Sequence, residues 1–135
     1  MKIFGVGTDI VRVSRIRKAC KNKSFLSKLF SNEEIKRCKK MINKSNCFAK
    51  RFAAKEAFSK ALGTGVAKGI NFKEIMVLNE KKGKPFIKLL NKTKKNVDKK
   101  FKNKKYQIFL SLSDEKNYAV AFVTISILKK INIFI

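Results

Sequence analysis

Apolar and polar residues alternate loosely at the start of the chain, where Ile3, Phe4 and Val6 stand among Lys2, Gly5 and Gly7. That pattern predicts a strand over 2–7, ending at Thr8-Asp9 before the apolar pair Ile10-Val11. From 12 to 20 the period lengthens. Val13, Ile16 and Ala19/Cys20 fall on one face of a short helix, and Arg12, Arg15 and Lys18 are three apart on the other. Residues 24–30 form a second short apolar turn. Ser31 followed by Glu34 matches a capping box and opens a helix to about 41, after which 43–46 is a polar break. The segment from about 45 to 62 lacks Gly and Pro and is rich in strong helix formers, so it predicts one long helix stopped by Gly63.

Beyond the GTGVAKG loop, 74–79 and 85–90 predict an antiparallel pair of strands about a turn at 80–84 that contains Gly83. Residues 91–103 read as a lysine-rich surface helix, with Val97 and Phe101 four apart. Two apolar strands, 106–112 and 118–128, follow around Ser113 to Asn117. The order β-α-α-α-β-β-α-β-β predicts an α+β domain with helices packed on an antiparallel sheet. At 135 residues, with no repeat and no break in composition, residues 1–135 form one domain.

Composition narrows the chemistry. The 34 Lys and Arg stand against 9 Asp and Glu, a formal charge of +25, with no histidine. Ser-His-Asp, Cys-His and His-ligated metal mechanisms are therefore excluded, and Ser111 and Ser113 have no histidine base. Only five of the cations are Arg, and Lys, Asn, Ile and Phe share adenine/thymine-rich codons, so much of the charge reads as genome bias and not as a nucleic-acid footprint. A basic surface equally suits acidic small molecules or an acidic protein partner. Cys20, Cys38 and Cys47 are odd in number and not in CxxC spacing, which argues against a disulfide framework and for a reducing compartment. The first ten residues are too short and polar for a signal peptide. No apolar run approaches the roughly 20 residues of a membrane span, so no membrane is expected.

Acidic residues are scarce, so their placement matters. Glu33 and Glu34 are explained by a helix cap, Glu80 by a turn and Asp98 by its lysine run. Asp9 closes an apolar strand, and Glu56 lies on a nearly all-apolar helix face with Phe52, Ala49, Ala53 and Lys60 within an arc of roughly 100°. Spacing alone leaves two readings open. Either Glu56 pairs with Lys60 while Asp9 caps a helix, or the two carboxylates form a hard-oxygen pair for Mg²⁺. The Gly63-Thr64-Gly65 loop invites a phosphate cradle, yet it follows a helix C-terminus, where the dipole disfavours anions.

Four segments, FGVGTDIVRVSRI, FAKRFAAKEAFSKALGTGV, GKP at 83–85 and LSLSDEKNYAVAFV, occur in the order and spacing of a known family. Together they resemble the holo-[acyl-carrier-protein] synthases, the short bacterial-type 4′-phosphopantetheinyl transferases. The resemblance spans Ile3 to about Ile127. It implies transfer of the phosphopantetheine arm of coenzyme A to a serine of an acidic acyl carrier protein, for fatty acid biosynthesis. It implies Asp9 and Glu56 as Mg²⁺ ligands and Lys60 facing the same phosphates, with Arg51, Lys55, Gly63, Thr64 and Gly65 shaping the coenzyme A pocket. The Gly83-Lys84-Pro85 turn would approach the nucleotide from a neighbouring subunit of a homotrimer, and Arg12, Arg15 and Lys18 would dock the carrier protein. The compartment implied is a bacterial cytoplasm, or a plastid if the source is a eukaryote.

The chain departs from the commonest family pattern in carrying Asp114 where many relatives have a histidine after SLS. That leaves the base open among Asp114, Glu56 and a water on the metal. The competing class is a nucleic-acid-binding protein, suggested by the run KKNVDKKFKNKK at 94–105. That run has only one aromatic, Phe101, to stack on bases. Broad-specificity transferases of the same chemistry are about twice as long, with two copies of the fold.

Overall fold

A computed structural model describes residues 1–63 and 69–128. The elements are β1 (Lys2–Arg12), α1 (Val13–Ala19), α2 (Lys23–Leu29), α3 (Asn32–Lys39), α4 (Lys44–Leu62), a 3₁₀ turn (Phe72–Glu74), β2 (Ile75–Asn79), β3 (Pro85–Leu89), α5 (Asn91–Lys100), β4 (Tyr106–Asp114) and β5 (Tyr118–Ile127). The α+β order holds, but the strands form two sheets. One is antiparallel with order β1-β5-β4, and the other is the β2-β3 hairpin. β1 runs five residues past its expected end because Thr8 to Arg12 keep pairing with Phe122 to Tyr118. Arg12 consequently ends a strand and precedes α1 instead of lying on it.

α4 is almost wholly buried and crosses the three-stranded sheet. The contact is close because β1 presents glycine there. A Cβ at Gly5 would strike the Ala61 carbonyl and one at Gly7 the Ala57 carbonyl. Gly5, Gly7, Asp9 and Val11 share this inner face by strand alternation, so the next inward side chain beyond the glycine contact is Asp9. The opposite face of β1 carries the apolar residues. Val6, Ile10 and, on β5 and β4, Phe122 and Phe109 are exposed, Ile10 by 65% and Phe122 by 46%. Register aligns them in one patch, Ile10 beside Val120 and Phe109 beside Thr124. The core itself packs Phe30 on Phe48, ring centroids 5.1 Å apart, with Phe52 edge-on to Phe72.

The capping box at Ser31 is present, with Ser31 N–H donating to Glu34 Oε1 and Glu34 N–H to Ser31 Oγ. Glu34 does more than cap. Its carboxylate also accepts from Lys55 Nζ at 2.8 Å and from the Val77 N–H at 3.1 Å, while Lys55 Nζ donates to the Phe72 and Ile75 carbonyls at 2.7 Å each. This knot joins α3, α4 and β2 without solvent. The expectation of no disulfide is corrected. Cys38 at the end of α3 and Cys47 in α4 are joined, because the helix-turn-helix between them brings their Cα atoms to 5.4 Å, and Cys20 is free. Val97 in α5 and Phe101 just after it turn inward, and Phe101 packs on Phe4 and Tyr106. The single aromatic of the 94–105 run is thus unavailable to stack on bases. No helix of the described residues is long and apolar enough to cross a membrane.

Candidate active site

Asp9 and Glu56 meet where β1 passes under α4. Lys60 Nζ donates to Asp9 Oδ1 at 3.1 Å and to the Thr8 carbonyl at 3.0 Å, and Thr8 Oγ1 in turn donates to the Ala121 carbonyl. Asp9 is largely covered, whereas the Lys60 side chain is half exposed. Glu56 takes up its proton more readily than an ordinary glutamate, first because burial penalises its charge and then because Asp9 repels it, with Lys60 and Arg15 opposing the shift. Of the two readings left open by the sequence, the Glu56–Lys60 ion pair does not form among the described residues: Lys60 pairs with Asp9 and acts on Glu56 only through its charge.

A like-charged, partly covered pair of carboxylates calls for a cation. Among the described residues no cluster of three or more His, Cys, Asp or Glu side chains exists, so the acidic donors at this point are the two carboxylates of Asp9 and Glu56. That donor set fits Mg²⁺, which keeps several positions for water and substrate phosphates. It lacks the nitrogen or sulfur ligands that usually complete a zinc or iron site.

The remaining expected residues divide. Arg15 is near enough to Glu56 to act on its charge, and with Lys18, Ala19, Asn22 and Phe25 it borders a cavity of about 420 Å³. Arg12, Arg15 and Lys18 are all exposed. Gly63 caps α4 with φ +80°, and Thr64 and Gly65 lie outside the described residues. Lys55 is corrected. It cannot shape a ligand pocket, because its ammonium is fully buried with three oxygens already around it.

Arg51 stands apart from the carboxylate pair. At 100° per residue it is about 140° around α4 from Glu56, and it lines a cavity of about 490 Å³ with Arg37, Lys40, Lys50, Asn79 and Asp114. Its Nη1 donates to Cys47 Sγ at 3.2 Å and its Nη2 to Asn79 Oδ1 at 2.7 Å. Asn79 Nδ2 then donates to the Gly83 carbonyl at 3.0 Å. Gly83, with φ +97°, turns the chain toward Lys84 and Pro85. Asp114 belongs to this second group, accepting from Asn46 Nδ2 at 2.8 Å and pairing with Lys50 at 3.4 Å. Asn46 and Asn79 were missed by sequence reasoning. Nothing in an asparagine-rich chain distinguishes them.

Residues 5–123 match the family model described as the 4′-phosphopantetheinyl transferase superfamily. The chain belongs to that superfamily. The transferase is 53% identical over 123 residues to the holo-[acyl-carrier-protein] synthase of Pelagibacter ubique, covering 91% of this chain and 96% of that protein. Among solved structures it resembles the holo-[acyl-carrier-protein] synthase of Neisseria meningitidis, with TM-score 0.83 and 34% identity, covering 92% of this chain and 98% of that one. It also resembles the Bacillus anthracis synthase in complex with coenzyme A (3′,5′-ADP), with TM-score 0.75 and 33% identity, covering 93% and 97%. The fold of this transferase is thus that of the synthases.

Proposed function

We propose that this transferase moves the 4′-phosphopantetheine arm of coenzyme A onto a serine of an apo acyl carrier protein, releasing adenosine 3′,5′-bisphosphate. The observation that carries the reading is the Asp9–Glu56–Lys60 cluster, found in a chain that matches these synthases over nearly its full length. Asp9 and Glu56 would hold Mg²⁺, which when bound neutralises the coenzyme A pyrophosphate. Lys60 faces the same oxygens and offsets charge that grows there in the transition state. The serine oxygen forms a bond to the phosphorus next to pantetheine, and the bridging oxygen leaves with the adenosine bisphosphate. Positioning and charge neutralisation suffice for such a transfer, which agrees with the absence of histidine.

The exposed cations Arg12, Arg15 and Lys18 flank the carboxylate pair, and a small acidic carrier protein is the partner they suit. The Arg51 and Gly83 group lies about 140° around α4 from Glu56, which favours its being presented to the coenzyme A by a neighbouring subunit. The uncovered apolar face of β1, β5 and β4 supplies a surface for such a homotrimer. The serine proton passes to a base for which Asp114, Glu56 and a water on the metal are the alternatives, and Asp114 lines the Arg51 cavity as well as a smaller one beside Ile10. The bacterial relatives support a bacterial cytoplasm over a plastid.

The test is mass spectrometry of an apo acyl carrier protein incubated with coenzyme A, Mg²⁺ and this enzyme. The expected result is a gain of one phosphopantetheine at a serine. An unmodified carrier at enzyme concentrations that process a control synthase would reject the reading.

A further inference from the structure

We propose that Cys38 and Cys47 are a thiol–disulfide switch that tunes the basic cavity's affinity for the nucleotide half of coenzyme A, with a low-molecular-weight disulfide as oxidant. The inference rests on the proposed role of Arg51 in coenzyme A binding. Its own basis is the chain of contacts from the disulfide to the Gly83 turn.

The first turn of α4 starts without a side-chain cap, and this bond ties it to α3. Asn43, the residue before α4, makes no side-chain capping bond, and of the residues joining α3 to α4, Ile42 is 99% exposed and Met41 also projects outward. Uncapped helix starts leave N–H groups without partners and fray readily. The link from Cys47 to Cys38 ties that turn to α3, and among the described residues the Asn46 bonds to Asp114 and the Glu115 carbonyl and the Arg17 Nε bond to Ser45 Oγ at 3.3 Å supplement it.

Arg51 is set from both ends of the same chain of contacts. Its Nη1 rests on Cys47 Sγ and its Nη2 on Asn79, which holds Gly83. Its Nε is buried with no partner among the described residues. A guanidinium so fixed is preorganised for an anion in the cavity that Arg37, Lys40 and Lys50 also line. Opening the disulfide releases the Cys47 sulfur on which Nη1 rests, and Arg51 keeps only the Nη1 bond to the Cys47 carbonyl at 3.5 Å and the Nη2 bond to Asn79.

The exchange balances. Cys47 borders the cavity while Cys38 is fully buried, so the incoming disulfide RSSR meets Cys47 first. The Cys47 sulfur attacks one sulfur of RSSR and releases RS⁻. The Cys38 sulfur then displaces the second RS⁻ from the mixed disulfide. Two protein S–H bonds are lost and one S–S bond forms. RSSR is reduced to two RSH, which take the two protons. The neighbouring guanidinium favours this chemistry at Cys47 because a cation stabilises sulfur in its anionic form.

The experiment measures binding of adenosine 3′,5′-bisphosphate by calorimetry, and the KM for coenzyme A, on the intact enzyme. It compares enzyme oxidised with glutathione disulfide with enzyme reduced by a phosphine, and adds the Cys38→Ser variant. Mass spectrometry should show loss of two hydrogens on oxidation. Reduction and Cys38→Ser should each weaken bisphosphate binding about tenfold, the worth of one charge-assisted hydrogen bond, with the KM for carrier protein unchanged. Equal affinity in both redox states, or no disulfide under glutathione disulfide, would overturn the switch alone. If neither state binds the bisphosphate while the fold is intact, the coenzyme A reading falls with it.

Discussion

At the scale of single residues, the chemistry turns on two carboxylates that would repel each other if nothing bound them. Burial and Asp9 both raise the proton affinity of Glu56, and Lys60 compensates only in part because its side chain is half exposed. Asp9→Ala and Glu56→Ala should each reduce turnover to background while circular dichroism remains that of the parent, and chelation of Mg²⁺ should do the same to the parent. A variant that keeps its rate and its metal requirement would remove that residue from the site. Lys60→Ala and Arg15→Glu should separate the two substrates. Loss of Lys60 raises the KM for coenzyme A, whereas reversal at Arg15 raises the KM for acyl carrier protein and flattens its salt dependence. Both variants losing the same substrate would contradict the division. Lys55 belongs to the opposite class, since its ammonium is spent on Glu34 and two carbonyls. Lys55→Met strands a buried carboxylate and should cost about 3–5 kcal/mol in urea unfolding, the usual penalty for breaking a buried pair.

At the scale of elements, the site exists because α4 can lie close on β1. Glycines at 5 and 7 admit the Ala61 and Ala57 carbonyls, and this seating brings Glu56 over Asp9. Gly7→Ala should therefore lower stability by about 1–3 kcal/mol, the range for overpacking. It should also lower kcat in the molecules that remain folded, measured below the new melting transition. An unchanged rate would mean that the glycine contact does not set the carboxylate pair. Much of this frame was legible. A Gly-free, Pro-free segment rich in alanine could only be a long helix, and Gly63 marked its end. The capping box and the β2-β3 hairpin were equally plain, because each rests on local turn chemistry. What the pattern concealed depends on partners distant in sequence. Thr8-Asp9 looked like a strand end, yet pairing with β5 carries β1 to Arg12. Lys55 looked like a pocket cation because nothing local tells a buried lysine from a solvated one. Cys38 and Cys47 looked unpaired because their approach is made by a turn between helices. The carboxylate pair was ambiguous on spacing, and its reading as a metal site rests on the family resemblance.

At the scale of the whole molecule, the unanswered contact is the outer face of the three-stranded sheet. Ile3, Val6, Ile10, Phe109 and Phe122 are exposed together on a protein whose formal charge of +25 would otherwise keep copies apart. Burying that face in a threefold assembly answers both the apolar surface and the separation of Arg51 from Glu56. Light scattering should give three times the chain mass, and Phe122→Lys should yield smaller, inactive species. Subunit mixing tests the shared site more directly. Glu56→Ala retains the Arg51 group, and Arg51→Ala retains the carboxylate pair, so each variant alone should be inactive. Unfolded together in equal amounts and refolded, they should give mixed head-to-tail trimers if the proposed assembly forms. In these, about one site in four draws its Glu56 from one chain and its Arg51 from the next. Recovery of about a quarter of parental activity is the expected result. No recovery from a mixture shown by mass to contain mixed trimers would place both groups in one chain's site.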